Sequence, residues 1–165
     1  MKKKLTIVIP AFNEAKYIPN LIKKISEVSL SRFDISKEIV LVDDGSTDNT
    51  KRIVKKFKKI RYIKQTNQGK GRAVQKGIKK AKGSIVLVQD ADLEYDPRDY
   101  SKLIKPFLNK KKIAVYGSRY LNKNIFSYEF SKKNKQSYLA FIFNYFLSFY
   151  FYILFGKYYS DLLTG

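Results

Sequence analysis

Six of the fourteen acidic residues, Glu14, Asp43, Asp44, Asp90, Asp92 and Glu94, follow apolar runs that read as buried strands. Carboxylates gathered at one edge of a parallel sheet repel each other unless a cation offsets them, and that edge is where such sheets bind ligands. Helix capping accounts for Asp48 and in part for Asp43. It does not account for Asp90-Ala91-Asp92-Leu93-Glu94 ahead of Tyr95-Asp96-Pro97. An Asp-x-Asp turn after a strand suits Mg²⁺ or Mn²⁺, which takes one or two protein carboxylates and fills its other positions with water and phosphate oxygens. The chemistry this points to is the handling of a diphosphate.

The composition narrows the alternatives. With no cysteine and no histidine, disulfide scaffolds, zinc fingers, thiol nucleophiles and His-based triads are excluded. A metal must sit on oxygen ligands, and a general base must be a carboxylate, Lys or Tyr.

Asn67-Gln68-Gly69-Lys70-Gly71 forms a second candidate feature. It follows a strand and opens a helix, but Val74 stands where a dinucleotide fingerprint needs its third glycine, and no Gly-Lys-Ser/Thr of a Walker loop is present. It reads either as a simple turn or as a loop that brings Lys70 or Arg72 to a phosphate or a base.

Alternating strands and helices must position these groups. Leu5–Pro10, Glu38–Val42, Ile60–Gln65, Ile85–Val88 and Ile113–Tyr116 read as strands, and the continuous apolar runs fit burial on both faces. Helices are expected over Tyr17–Val28, from the Asp43–Asp48 turn to about Lys59, from the glycine loop to Ala81 with Gly83 at its C-cap, and over Asp99–Leu108. Such β–α repetition implies an α/β fold with a doubly wound, mostly parallel sheet. The 165 residues fit one domain, and 44% hydrophobic residues argue against wholesale disorder.

The composition shifts after Tyr120. Asn122–Gln136 is polar and basic. Tyr138–Phe155 is then an aromatic and aliphatic stretch of 18 residues broken only by Asn144 and Ser148. Its length touches that of a membrane span. Its scattered tyrosines, and Lys132, Lys133 and Lys135 upstream, fit instead a helix lying in the membrane interface. The shift divides the chain into 1–120, the α/β part, and 121–165, a basic loop plus an interface helix. The net charge of +20, from 34 basic residues of which 28 are Lys, fits solvated helix faces, an anionic membrane surface or polyphosphate ligands. No specific nucleic acid is expected. The short apolar start, cut off by Pro10, is too short for a signal peptide and reads as the first strand of a cytoplasmic protein.

Pro10-Ala11-Phe12-Asn13-Glu14, Val42-Asp43-Asp44-Gly45-Ser46-Thr47-Asp48, the glycine loop and Gln89–Pro97 together resemble the family 2 glycosyltransferases of GT-A fold. With Tyr116-Gly117-Ser118-Arg119-Tyr120 and Asp161-Leu162-Leu163-Thr164-Gly165, the chain is similar to the polyprenyl-phosphate group, which includes dolichyl-phosphate mannose and glucose synthases of glycan biosynthesis. The resemblance implies a UDP- or GDP-sugar donor, a polyprenyl phosphate or other lipid-linked acceptor, inversion at the anomeric carbon, and Mg²⁺ or Mn²⁺. It implies nucleotide-sugar binding for 1–120 and the start of an acceptor region for 121–165. It implies that Pro10, Ala11, Asn13, Glu14, Asp43, Asp44, Lys70, Arg72, Gln89, Asp90 and Ala91 bind the nucleotide sugar. Asp44 would meet the base. Asp92, with Asp90, would hold the metal, and Asp90, Asp92 and Arg119 would form the catalytic set, Arg119 near the acceptor phosphate. Members of the family continue past the Thr-Gly, so the chain reads as C-terminally incomplete, working at the cytoplasmic face of a membrane.

The chemistry agrees with this reading. A departing nucleoside diphosphate needs a cation more than a proton. A phosphate acceptor, with a second pKa of about 6, is already a nucleophile at neutral pH. A sugar-hydroxyl acceptor would need a base, for which Asp96 and Glu94 are the candidates. The competing reading is a non-catalytic transferase remnant acting as a basic membrane- or nucleic-acid-binding module. A phosphoacceptor receiver fits less well, since its acid pair should follow the first strand, whereas Asp43-Asp44 follows the second.

Overall fold

The computed structural model describes residues 3–109, 114–117 and 135–156. The chain divides into two units, Met1–Ile113 and Ala114–Gly165.

The first unit is built on a four-stranded, wholly parallel sheet in the order β3-β2-β1-β4. β1 spans Lys3–Ala11, β2 Ile35–Asp43, β3 Ile60–Lys64 and β4 Ile85–Val88. Side chains alternate across a strand, so each strand feeds two faces. Leu5, Ile7 and Ile9 of β1 and Leu41 of β2 pack with Ile18, Leu21, Ile22 and Ile25 of α1 (Ile18–Glu27). Val54 of α2 (Thr50–Val54) and Tyr100 and Ile104 of α4 (Tyr100–Ile104) join that cluster. On the other face Val40 and Val42 meet Ala73 of α3 (Lys70–Lys80), with Ile63 against them. The sheet is therefore covered on both sides, as the alternating pattern predicts.

Several expected boundaries move. The helix expected to reach about Lys59 ends at Val54. The chain then tightens into i→i+3 turns, Lys56 N to Ile53 O at 3.1 Å and Phe57 N to Val54 O at 3.0 Å, which lead into β3. The helix expected over Asp99–Leu108 is a 3₁₀ turn at Pro97–Asp99, then α4, then α5 (Pro106–Asn109). Pro106, which has no amide hydrogen, sits at the break between the last two. Gly83 does not cap α3, whose C-cap is Ala81. A Cβ at Gly83 would lie 2.4 Å from the Lys4 carbonyl oxygen and 2.7 Å from Thr6 Oγ1, so glycine is needed for the close approach to β1. Of the expected fifth strand, Ile113 lies outside the described residues, and 114–117 carry no strand.

In the second unit, α6 runs over Lys135–Phe155. Asn144 and Ser148, one turn apart, are buried at 3% and 1% exposure, while Phe146, Phe149, Tyr150, Ile153 and Phe155 are all more than half exposed. That inverts the pattern of a soluble core helix. Among the described residues no helix is long and apolar enough to cross a membrane.

Candidate active site

The strand register lines up the carboxyl ends. Ala11 pairs with Asp43, and the Asp44 amide donates to the Ala11 carbonyl at 2.8 Å. The Gln65 amide donates to the Asp43 carbonyl at 2.9 Å and the Gln89 amide to the Val8 carbonyl at 2.9 Å. The chain winds outward from β1 through β2 to β3, then crosses to β4 on the far side of β1. The loops after β1 and β4 thus flank the switch point, where doubly wound sheets bind ligands.

A cleft of about 180 Å³ opens there, lined by Pro10, Ala11, Phe12, Glu14, Asp44, Lys70, Ala73, Asp90, Ala91 and Asp92. Eight of the residues expected from the sequence share this one cleft; Phe12 and Ala73 are additions. Phe12 stands inside a quoted motif and is 46% exposed where it lines the cleft. An aromatic face so placed can stack on a nucleotide base. The only sequence signal for it was an aromatic residue directly after a buried strand.

Of the other expected residues, Asn13 and Asp43 brace the loops beside the cleft without lining it. Asn13, at φ 58°, accepts through Oδ1 from the amides of Thr47 at 2.9 Å and Asp48 at 3.3 Å. This ties the loop after β1 to the turn after β2. Asp43 is fully buried, accepts from the Ser46 amide at 2.7 Å and receives the Tyr62 hydroxyl. Burial, with Asp43 beside it, pushes the Tyr62 phenol far above its ordinary value. Arg72 is exposed on α3. Gln89 is 1% exposed and does not line the cleft. Arg119 and Asp161–Gly165 lie outside the described residues.

Asp44 and Asp90 hold defined partners. Asp44 Oδ1 accepts from Gln65 Nε2 at 2.7 Å and the Gln68 amide at 2.9 Å, and Oδ2 accepts from the Gly69 amide at 2.8 Å. Burial opposes its charge, but these three hydrogen bonds outweigh it and hold the carboxyl below its ordinary range. Gly45, at φ +82°, lets the turn approach this loop: a Cβ there would sit 2.9 Å from the Asn67 amide nitrogen. Lys70 Nζ lies 3.0 Å from Asp90 Oδ2.

The acidic side of the cleft suits a cation. Burial raises the Glu14 pKa above its ordinary value, and the charges of Asp92, Asp48 and Asp90 add to the rise. Among the described residues no three carboxylates form a ready-made metal cage. Two aspartates beside open space fit Mg²⁺ or Mn²⁺ completed by phosphate oxygens better than a fully protein-bound ion. Asp96 is poorly suited to act as a base: hydrogen bonds from Arg98, whose NH2 is 2.6 Å away, pull its pKa down to about 2.

The family model for glycosyl transferase family 2 matches residues 6–160. The chain is 32% identical over 184 aligned positions to the UDP-N-acetylglucosamine–dolichyl-phosphate N-acetylglucosaminyltransferase of Methanococcus voltae, covering 99% of this chain and 68% of that protein. It is 34% identical over 123 positions to the dolichol-phosphate mannosyltransferase of Pyrococcus furiosus, covering 72% of this chain and 34% of that protein. Its fold matches a mannosyltransferase from Pyrobaculum calidifontis solved with GDP-Man and Mn²⁺, with a TM-score of 0.58 and 27% identity over 68% of this chain and 34% of that one. The chain spans about half the length of two further curated relatives, at 49% and 50%. With its parallel Rossmann-like sheet and the match across residues 6–160, the chain belongs to glycosyl transferase family 2.

Proposed function

We propose that this chain carries the donor site of an inverting glycosyltransferase that moves a hexose from a UDP- or GDP-sugar to a polyprenyl phosphate at a membrane surface. The observation that carries the reading is the convergence of Asp44, Lys70, Asp90 and Asp92 on one cleft at the switch point of the sheet. The relatives named above for dolichyl phosphate support the acceptor class.

In this reading Phe12 and the Asp44 end of the cleft receive the base, and Asp90 faces the ribose or sugar. Asp92, with Asp90, would hold Mg²⁺ or Mn²⁺, which offsets the charge that grows on the leaving diphosphate. Lys70 turns its ammonium from Asp90 toward the same phosphates. An acceptor phosphate oxygen forms a bond to the anomeric carbon from the face opposite the nucleotide. The bond from that carbon to the diphosphate oxygen breaks, and the nucleoside diphosphate departs with the electron pair. The acceptor is already an anion, so the step needs no histidine and no strong base. Arg119 is assigned to the acceptor phosphate. The exposed aromatic surface of α6, with the lysines before it, would rest in an anionic cytoplasmic leaflet where a lipid-linked headgroup is available.

A panel of UDP- and GDP-sugars with Mn²⁺, scored by thermal melting, tests the donor site, because a ligand that binds only the folded state raises the midpoint. A shift with one base and not the other identifies the donor. No shift with any donor would overturn the reading in favour of a non-catalytic basic module.

A further inference from the structure

Gln89 is the residue between β4 and the Asp90–Asp92 turn, and its amide is buried. Its Nε2 donates to the Asp90 carbonyl at 3.0 Å and to the Tyr95 carbonyl at 3.2 Å. Carbonyls only accept, so these two contacts fix which end of the amide is nitrogen. The opposite end, Oε1, accepts from the Tyr100 hydroxyl at 2.8 Å. One side chain thus ties the first and last carbonyls of the 90–95 loop, and a second, from the start of α4, holds that side chain. Tyr100 is 2% exposed. Burial, and then the charge of Asp96, push its phenol far above the ordinary value, so it stays a donor at any working pH.

The loop so tied is not relaxed. Leu93 sits at φ 68°, a left-handed conformation unfavourable for a branched side chain. Such a conformation persists only where the surroundings impose it. Leu93 packs against the core, and the Glu94 amide donates to Asp92 Oδ1 at 3.1 Å, so the strained turn also aims the Asp92 carboxylate.

We propose that Gln89 and Tyr100 are positioning residues that set the placement of Asp90 and Asp92 through the loop backbone without touching the ligand. The inference rests on the reading of the cleft as a nucleotide-sugar site. It gives Gln89 a role beside the cleft, in place of the nucleotide contact expected from the family motif. It also links the motif's first residue to a tyrosine eleven positions on.

The test uses Tyr100→Phe and Gln89→Leu in the full chain, with Ile104→Val as a core control. Hydrogen exchange is followed at the 91–95 amides without ligand. Affinity for UDP or GDP, whichever the wild type binds, is measured with Mn²⁺ and with EDTA. Both positioning variants should exchange at least tenfold faster in this loop. They should lose about tenfold of the affinity that Mn²⁺ adds, with a smaller loss in EDTA from the displaced Asp90. Ile104→Val should lower the melting point without either change. Unaltered loop exchange in Tyr100→Phe overturns the proposal, as does faster exchange with the Mn²⁺ gain intact or an equal loss with and without metal. Failure of the wild type to bind any nucleotide would instead overturn the donor-site reading. The exchange arm, which needs no ligand, would still decide whether the pair holds the loop.

Discussion

The Asp44 carboxylate receives the Gly69 amide at 2.8 Å, so the turn after β2 grips the loop that opens α3. Lys70 follows directly, and its ammonium reaches Asp90 after β4. Two loops from opposite sides of β1 are therefore joined across the mouth of the cleft by one carboxylate and one lysine.

Asp44→Ala should leave the Gln68 and Gly69 amides without their acceptor, at a cost of about 1–3 kcal/mol each if they remain dry. Nucleotide affinity should fall with stability. Asp48→Ala also orphans two amides, those of Thr50 and Ala15, but away from the cleft. It should lower the melting point and leave nucleotide affinity in place. Calorimetric titration of UDP and GDP into both variants checks this; equal losses would reduce Asp44 to a folding role.

Lys70→Ala should separate binding from stability. Its pair with Asp90 is half exposed on the lysine side, at 47%, and such pairs contribute roughly 0–1 kcal/mol. The melting point of the free protein should barely move. Nucleoside diphosphate affinity should fall about tenfold while affinity for the uncharged nucleoside holds. An equal loss for nucleoside and diphosphate would place Lys70 at the base.

Glu14 sets a pH dependence of unusual sign for a carboxylate. Its folded pKa is raised above 4.5 by burial and by Asp92, Asp48 and Asp90. The folded state holds this proton more tightly than the unfolded state. That contribution to stability is complete below 4.5 and is lost as pH rises from there through the raised value. A bound cation should expel the proton. Mn²⁺ titrations just above pH 4.5, run in two buffers of different ionisation enthalpy, should show proton release in the wild type and less in Glu14→Gln. Identical buffer dependence in the two proteins would remove Glu14 from the account.

Deleting 138–155 should release the protein from anionic vesicles, leaving nucleotide affinity within twofold. Flotation with protease added on one side is the check. A protected fragment crossing the bilayer, or no flotation of the intact chain, would contradict an interfacial helix.

The sheet was legible in the sequence because buried parallel strands are continuous apolar runs, and the acidic cluster because acids are scarce in so basic a chain. The short helices were less so. The i→i+3 turns after Val54 leave no periodicity to read, and Pro106 splits a helix whose apolar positions run on across it. Within the site, residue type marked which motifs matter but not which way each side chain turns. Asp43 and Asp44 are adjacent acids, and strand alternation sends one to Tyr62 and the other to the glycine loop. Gln89 and Tyr100 looked like motif and helix, and only their shared hydrogen bond reveals what they hold.

The most direct test is titration of the nucleotide sugar, with and without Mn²⁺, into wild type and Asp92→Asn. The substitution keeps the shape of the side chain and removes one ligand charge. The account predicts Mn²⁺-dependent binding in the wild type and at least a tenfold loss, about 1.4 kcal/mol, in the variant, confined to the metal-containing titration. Equal affinities in the presence of Mn²⁺ would contradict it.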